Sequence, residues 1–251
     1  MTEPTYLDTA QGRRIAYHYS EGEGPCVVFL GGLKSDMQGT KAVHLEDWAQ
    51  AKGRAFLRFD YSGHGQSSGT FEEGCIGDWH EDTLAVIDTL TEGPIVAVGS
   101  SMGGWQSLLL ARARPERVSG LVTIAASPDF TEDGWFARFD AAQKAELEKA
   151  GQVELASDYM DPYIVTKRMV EDGRNHLVLR DPLELPFRVR MLQGTADTAV
   201  SVATATRLLD HIASTDCQLL LVKDADHRFS TRDCLELIEK AVEAASLVEE
   251  Y

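Results

Sequence analysis

Three patterns predict an α/β fold, a mostly parallel twisted sheet of about eight strands with helices on both faces. Short unbroken apolar runs recur, among them Cys26-Val27-Val28-Phe29-Leu30 and Leu219-Leu220-Leu221-Val222. Amphipathic stretches of helical period alternate with these runs. Residues with chemical potential stand just after the runs: Gly32, Ser101, Asp197 and His227. An unbroken apolar run suits a strand buried on both faces, as parallel sheets require. Alternation with helices implies βαβ units and right-handed crossovers. In such sheets the site lies at the carboxyl ends of the strands.

Residues 6–19 give two strand-like pieces around Gln11-Gly12, a hairpin at the sheet edge. The run 26–30 ends in Gly31-Gly32-Leu33. A helix capped by Thr40 runs to about Lys52, with Leu45, Trp48 and Ala49 on one face and Gly53 at its end. Residues 55–59 read as strand and stop at the turn-rich Asp60-Tyr61-Ser62-Gly63-His64-Gly65. The next helix puts Trp79, Thr83, Val86, Ile87 and Leu90 on one stripe. Strand 95–98, helix 104–114 and strand 118–125 follow. Regularity then lapses from about 128 to 187, an insertion in an otherwise single domain spanning 1–251. Inside it, 141–150 reads as a polar helix and 158–170 as another. Order returns with a strand through Val189, Met191 and Leu192. A helix capped by Ser201 carries Ala205, Leu208, Leu209 and Ile212. The strand 219–222 and a last helix with Leu235, Ile238, Val242 and Ala245 on one face complete the chain.

Bulk composition limits the partners. Hydrophobic content of 43% and charged content of 25% are normal for a globular domain. The formal net charge is -16 and the pI about 4.8. That balance excludes a nucleic-acid footprint, which needs clustered Lys and Arg, and disfavours docking on anionic lipid. Cys26, Cys75, Cys217 and Cys234 show no metal-ligand spacing, so free, buried thiols in a reducing compartment are expected. The first 24 residues have no apolar core of a secretory signal and carry Glu3, Asp8, Glu21 and Glu23, unlike a transit peptide. No apolar stretch approaches the ~18 residues of a membrane span, and the expected location is the cytoplasm.

The chemistry centres on Gly99-Ser100-Ser101-Met102-Gly103, between an apolar strand and a helix. A strand entering a helix through G-x-S-x-G forms a nucleophile elbow, whose tight turn needs the glycines. The pentapeptide alone arises by chance in on the order of one chain in ten of this length. A serine hydroxyl also needs a base and an orienting carboxylate, in the chain order Ser, acid, His. Three histidines follow Ser101. His211 sits within an amphipathic helix and His176 within the irregular insertion, whereas His227 stands on a loop shortly after a strand. His227 is therefore the base. Asp197, after the preceding strand, is the acid; Asp226 and Asp224 are weaker rivals. The oxyanion donors are the backbone N–H of Met102, at a helix N-terminus, and that of Leu33, after the early strand. No metal or organic cofactor is required.

These residues, from Gly31-Gly32 to His227, resemble the α/β-hydrolase fold superfamily. Gly31 stands where that family usually has His. The segment Asp60-Tyr61-Ser62-Gly63-His64-Gly65-Gln66-Ser67 resembles the family's D-x-x-G-x-G-x-S turn. A closer resemblance lies in Gly39-Thr40-Lys41-Ala42, Arg58-Phe59-Asp60-Tyr61-Ser62-Gly63, Gly99-Ser100-Ser101-Met102-Gly103-Gly104-Trp105 and Asp226-His227-Arg228. These are similar to the mitochondrial α/β-hydrolase-domain group of acyl-protein (palmitoyl) thioesterases and acyl-glucuronide esterases. Without a transit peptide, this chain fits a bacterial relative of that group. The resemblance implies an esterase or thioesterase acting on a small-molecule ester or an acylated thiol.

In this fold an insertion such as 128–187 commonly forms a lid. It holds Trp135, Phe136, Phe139, Tyr159, Met160, Tyr163, Ile164 and Met169, which either wall an acyl pocket or pack the lid onto the body. An acyl-glucuronide carboxylate would want a cation, for which Arg138, Arg174 and His176 are candidates. A lactonase or a small-peptide hydrolase of the same fold, or a non-catalytic ligand-binding relative, are the alternatives. A dehalogenase would want Asp in place of Ser101.

Overall fold

The computed structural model describes residues 3–156 and 162–247. In chain order the elements are β1 (Thr5–Asp8), β2 (Arg14–Ser20), β3 (Glu23–Leu30), α1 (Thr40–Ala51), β4 (Arg54–Phe59), α2 (Ile76–Leu90), β5 (Ile95–Ser100), α3 (Met102–Ala113) and β6 (Val118–Ile124). Then come α4 (Ala141–Ala150), β7 (Gln152–Leu155), β8 (Tyr163–Thr166), α5 (Lys167–Gly173), β9 (Leu183–Glu184), β10 (Arg188–Gly194), α6 (Val202–His211), β11 (Ile212–Ala213), β12 (Cys217–Val222) and α7 (Arg232–Ala245). Eight strands form one sheet in the order β1-β2-β4-β3-β5-β6-β10-β12. Only β1 with β2 and β2 with β4 pair antiparallel; every other pairing in this sheet is parallel.

The unbroken apolar runs of β3, β4 and β5 bury both faces with a period of two, whereas the run in β12 leaves Leu220 and Leu221 exposed, because β12 is the edge strand. Val28, Leu30, Leu57 and Ala97 point to one side, against Trp79 of α2 and Trp105 and Leu108 of α3. Val27, Phe29, Val96 and Val98 point to the other, against Leu45 and Trp48 of α1 and Ile238 and Val242 of α7. Burying each such side chain fully stabilises the fold by roughly 1.5–3 kcal/mol. The sheet is therefore a rigid base for whatever its strand ends carry.

The insertion between β6 and β10 has a small core of its own, Phe139, Leu147, Val153, Val165 and Val170. Asp140 caps α4 in a reciprocal box with Gln143, and Gly151 closes it at φ 75°. Asp129 ties the insertion to itself. Its carboxylate accepts the N–H groups of Val178 and Leu179 at 2.8 and 3.0 Å and an Arg180 N–H at 3.1 Å.

Two expected elements differ. The helix expected over 158–170 is a strand followed by a helix: Tyr163–Thr166 pairs antiparallel with β7, and α5 starts at Lys167. The β-branched Ile164-Val165-Thr166 favours extended backbone, and Thr166 Oγ1 accepts the Met169 N–H to start the helix one residue later. Residues 157–161, with Tyr159 and Met160, lie outside the described residues. Thr40 is the first residue of α1 rather than its cap; Gly39 occupies the cap position without a side-chain bond. All four cysteines are free, but Cys217 is only partly buried. Among the described residues no helix is long and apolar enough to cross a membrane.

Candidate active site

The elbow turns at Ser101, whose φ of 54° and ψ of -117° are strained for a residue with a side chain. Backbone bonds hold it there. The Ser101 N–H donates to Ile124 O at 2.9 Å, and its own carbonyl accepts Gly104 and Ser127 N–H groups. The glycines make room for neighbouring backbone. A Cβ on Gly99 would lie 2.2 Å from Gly103 O, and one on Gly103 would lie 2.0 Å from Leu30 O. The tight packing of α3 onto β3 and β5, more than the turn itself, accounts for both positions.

Ser101, Asp197 and His227 meet although 126 residues separate the first from the last. His227 Nε2 lies 3.1 Å from Ser101 Oγ, and its Nδ1 lies 2.8 Å from Asp197 Oδ2. An ionised carboxylate only accepts, so Nδ1 carries the hydrogen and the neutral ring presents an unprotonated Nε2 to the hydroxyl. Each residue follows a strand: β5 ends at Ser100, β10 at Gly194 and β12 at Val222.

Asp197 is fully enclosed. Its Oδ1 accepts the Ala199 and Val200 N–H groups at 2.9 and 2.8 Å, and Oδ2 also accepts Gln193 Nε2 at 3.0 Å. Burial pushes its pKa up, but the bonds from His227, Val200 and Gln193 outweigh burial and hold the carboxyl below its usual range. It is thus an anion aimed at the imidazole.

The rival groups are engaged elsewhere. His211 Nε2 bonds the Asp181 carbonyl, and His176 Nδ1 lies 2.9 Å from Asp172 O. Asp226 Oδ1 accepts the Phe229 N–H at 3.1 Å and so shapes the turn after His227. His64 of the glycine-rich turn is buried, and burial pushes its pKa down to about 4.

Ser101 and His227 open into a cavity of about 710 Å³. Phe29, Phe130, Trp135, Phe139, Leu155 and Tyr163 supply its apolar wall. Gly32, Leu33 and Met102 line the same cavity, and a Cβ on Gly32 would sit 3.4 Å from Ser101 Cβ. Met102 is the first residue of α3, so its N–H has no acceptor within the helix. Of the expected substrate cations, Arg138 lines the cavity. Arg174 instead bonds Glu132 at 2.6 Å and stacks on Phe136, and the His176 carbonyl accepts the Trp105 indole N–H at 3.0 Å. Neither lines the cavity: Arg174 is exposed and pairs within the insertion, and His176 faces His80 of α2. Two further residues enter the site unannounced by the sequence pattern, Gln193 beneath Asp197 and Lys41 in the cavity wall.

Comparison with known proteins agrees with this fold. The family model described as the alpha/beta hydrolase fold matches residues 31–166. The chain belongs to the alpha/beta hydrolase family. The hydrolase is 35% identical over 239 residues to the palmitoyl-protein thioesterase ABHD10, mitochondrial, of Homo sapiens, covering 94% of this chain and 78% of that protein. The corresponding Bos taurus protein is 34% identical with the same coverage. Among solved structures, the hydrolase superposes on an Agrobacterium vitis S4 protein with a TM-score of 0.93 and 37% identity, covering 98% and 99% of the two chains. It superposes on mouse alpha/beta hydrolase domain-containing protein 10 with a TM-score of 0.90 and 31% identity, covering 97% and 98%.

Proposed function

We propose that this hydrolase is a serine esterase or thioesterase that works through Ser101, His227 and Asp197. The hydrogen-bonded chain from Ser101 Oγ through the imidazole to an enclosed carboxylate is the observation that carries the reading. His227 Nε2 takes the hydroxyl proton as Ser101 Oγ attacks the acyl carbonyl, and Asp197 stabilises the resulting imidazolium. The N–H groups of Met102 and Leu33 receive the oxyanion. Collapse of the tetrahedral intermediate breaks the bond to the leaving alcohol or thiol, which takes the proton from His227. Water then attacks the acyl-serine by the same path and releases the acid.

The apolar wall suits the acyl chain, with the insertion over residues 128–187 as its lid. Relatives named palmitoyl-protein thioesterases support an acylated thiol as substrate. Arg138, on the cavity wall, offers a cation to a substrate carboxylate. A panel of thioesters and oxyesters of increasing acyl length tests the reading. Turnover should rise with chain length until the cavity is filled and vanish in Ser101→Ala. A variant that still hydrolyses the panel would remove Ser101 from the mechanism.

A further inference from the structure

Lys41 stands in the first turn of α1, where the helix dipole disfavours a cation, and no acidic side chain there compensates it. It is half-buried and lines the same cavity as Ser101. Its Nζ donates to the carbonyl of Arg228 at 2.5 Å, across 187 residues of sequence. The same carbonyl accepts the Ser230 hydroxyl at 2.8 Å. On the other side of His227, Asp226 binds the Phe229 N–H, and Phe229 is wholly buried with φ at 48°. The Arg228–Phe229 peptide, one residue beyond His227, is therefore held by a side chain from a different element.

We propose that Lys41 is a positioning residue for His227: its ammonium holds the Arg228 carbonyl and so fixes the loop that presents the imidazole to Ser101. The inference rests on the serine-hydrolase reading and goes beyond it by assigning a role to a residue outside the hydrogen-bonded chain. A charge-assisted bond is roughly twice as strong as a neutral one, so the hold depends on the amine being protonated. The charged neighbours oppose one another. Asp226 attracts the ammonium and Arg228 repels it from the loop; Cys234 faces it from α7, and Asp36 and Arg138 share the cavity. Burial prevails and pushes the amine down to about 8, so the hold weakens within an ordinary assay range.

The test compares the full-length wild type with Lys41→Met and Lys41→Arg on p-nitrophenyl butyrate, a neutral ester, from pH 6 to 10. Amide hydrogen exchange of residues 224–230 is measured in parallel, with Ser101→Ala as control. Lys41→Met should lower kcat about tenfold with KM within about twofold, the size of a small misplacement of the base. It should also speed exchange in 224–230. Lys41→Arg should recover most of kcat and hold it above pH 8, where the wild type declines. Wild-type kcat and loop exchange in Lys41→Met, an effect confined to KM, or no recovery in Lys41→Arg would each overturn the proposal. Should Lys41→Met fail to fold, Lys41→Gln carries the same comparison. Failure of the serine reading shows separately, as hydrolysis by Ser101→Ala, while the exchange data still judge the hold on the loop.

Discussion

Gly103 stands against the backbone of Leu30 so closely that a Cβ would sit 2.0 Å from the Leu30 carbonyl oxygen. That contact locks the start of α3 to the end of β3, and so joins the elbow to the loop carrying Gly32 and Leu33. Gly103→Ala cannot be absorbed by rotating a side chain, because the obstacle is backbone. It should destabilise the fold by about 3 kcal/mol or more and separate Ser101 from Leu33, whose N–H is the second proposed oxyanion donor. Denaturant unfolding reads the first effect. The labelling rate of the folded fraction by a fluorophosphonate reads the second.

Gln193 should matter to catalysis although it touches no substrate. Its amide N–H groups reach Asp197 Oδ2 and the carbonyls of Gly194 and Val200, all at about 3 Å. Gln193→Ala should lower kcat by about tenfold with KM little changed, as the carboxylate loses an orienting donor. Gln193→Glu should be worse, since a second carboxylate beside Asp197 raises its pKa. Equal kcat in both variants would show that the backbone donors suffice.

The order of strands and the residues after them were legible because they rest on local patterns. An unbroken apolar run, a turn and a Ser, Asp or His just beyond it can be read without knowing the partners. Gln193 and Lys41 were not legible, because their roles arise from contacts across the fold. Gln193 lies inside a strand that reads as packing alone. Lys41 enters the sequence reading only through the resemblance of Gly39-Thr40-Lys41-Ala42, and its contact with the Arg228 carbonyl spans the fold. Arg174 and His176 lie away from the cavity for the converse reason: a cation in sequence does not reveal the Glu132 or Asp172 that pairs with it. The strand at Tyr163–Thr166 depended on its pairing with Gln152–Leu155.

Acid should weaken the fold through two histidines. Burial lowers the pKa of His64 to about 4, and burial with nearby His176 and Arg112 does the same for His80. The unfolded imidazole sits at about 6.5, so between those values the unfolded chain binds protons that the folded chain refuses. This stability is whole above about pH 6.5 and is lost as pH falls toward 4. Burial of Asp60, Asp82 and Asp129 raises their pKa values and acts in the opposite sense. His80→Gln isolates one histidine. Between pH 6.5 and 4.5 the wild type should lose on the order of 1 kcal/mol per pH unit more than the variant. Parallel decline in denaturant unfolding would contradict the assignment.

Arg138 and Arg174 should part company in substrate selectivity. Arg138→Ala should raise KM for an ester bearing a free carboxylate by about three- to tenfold, given its exposure, and leave a neutral ester unaffected. Arg174→Ala should change neither KM, because Glu132 already occupies its guanidinium. Matched effects in the two variants would place the anion elsewhere.

In the proposed mechanism His227 and Asp197 activate Ser101 as the nucleophile. Incubation with a fluorophosphonate followed by peptide mass spectrometry tests it most directly. One adduct per chain, located on Ser101, absent from Ser101→Ala and slowed by at least two orders of magnitude in His227→Ala, is the expected result. An adduct on another residue, or wild-type labelling of Ser101→Ala, would contradict it.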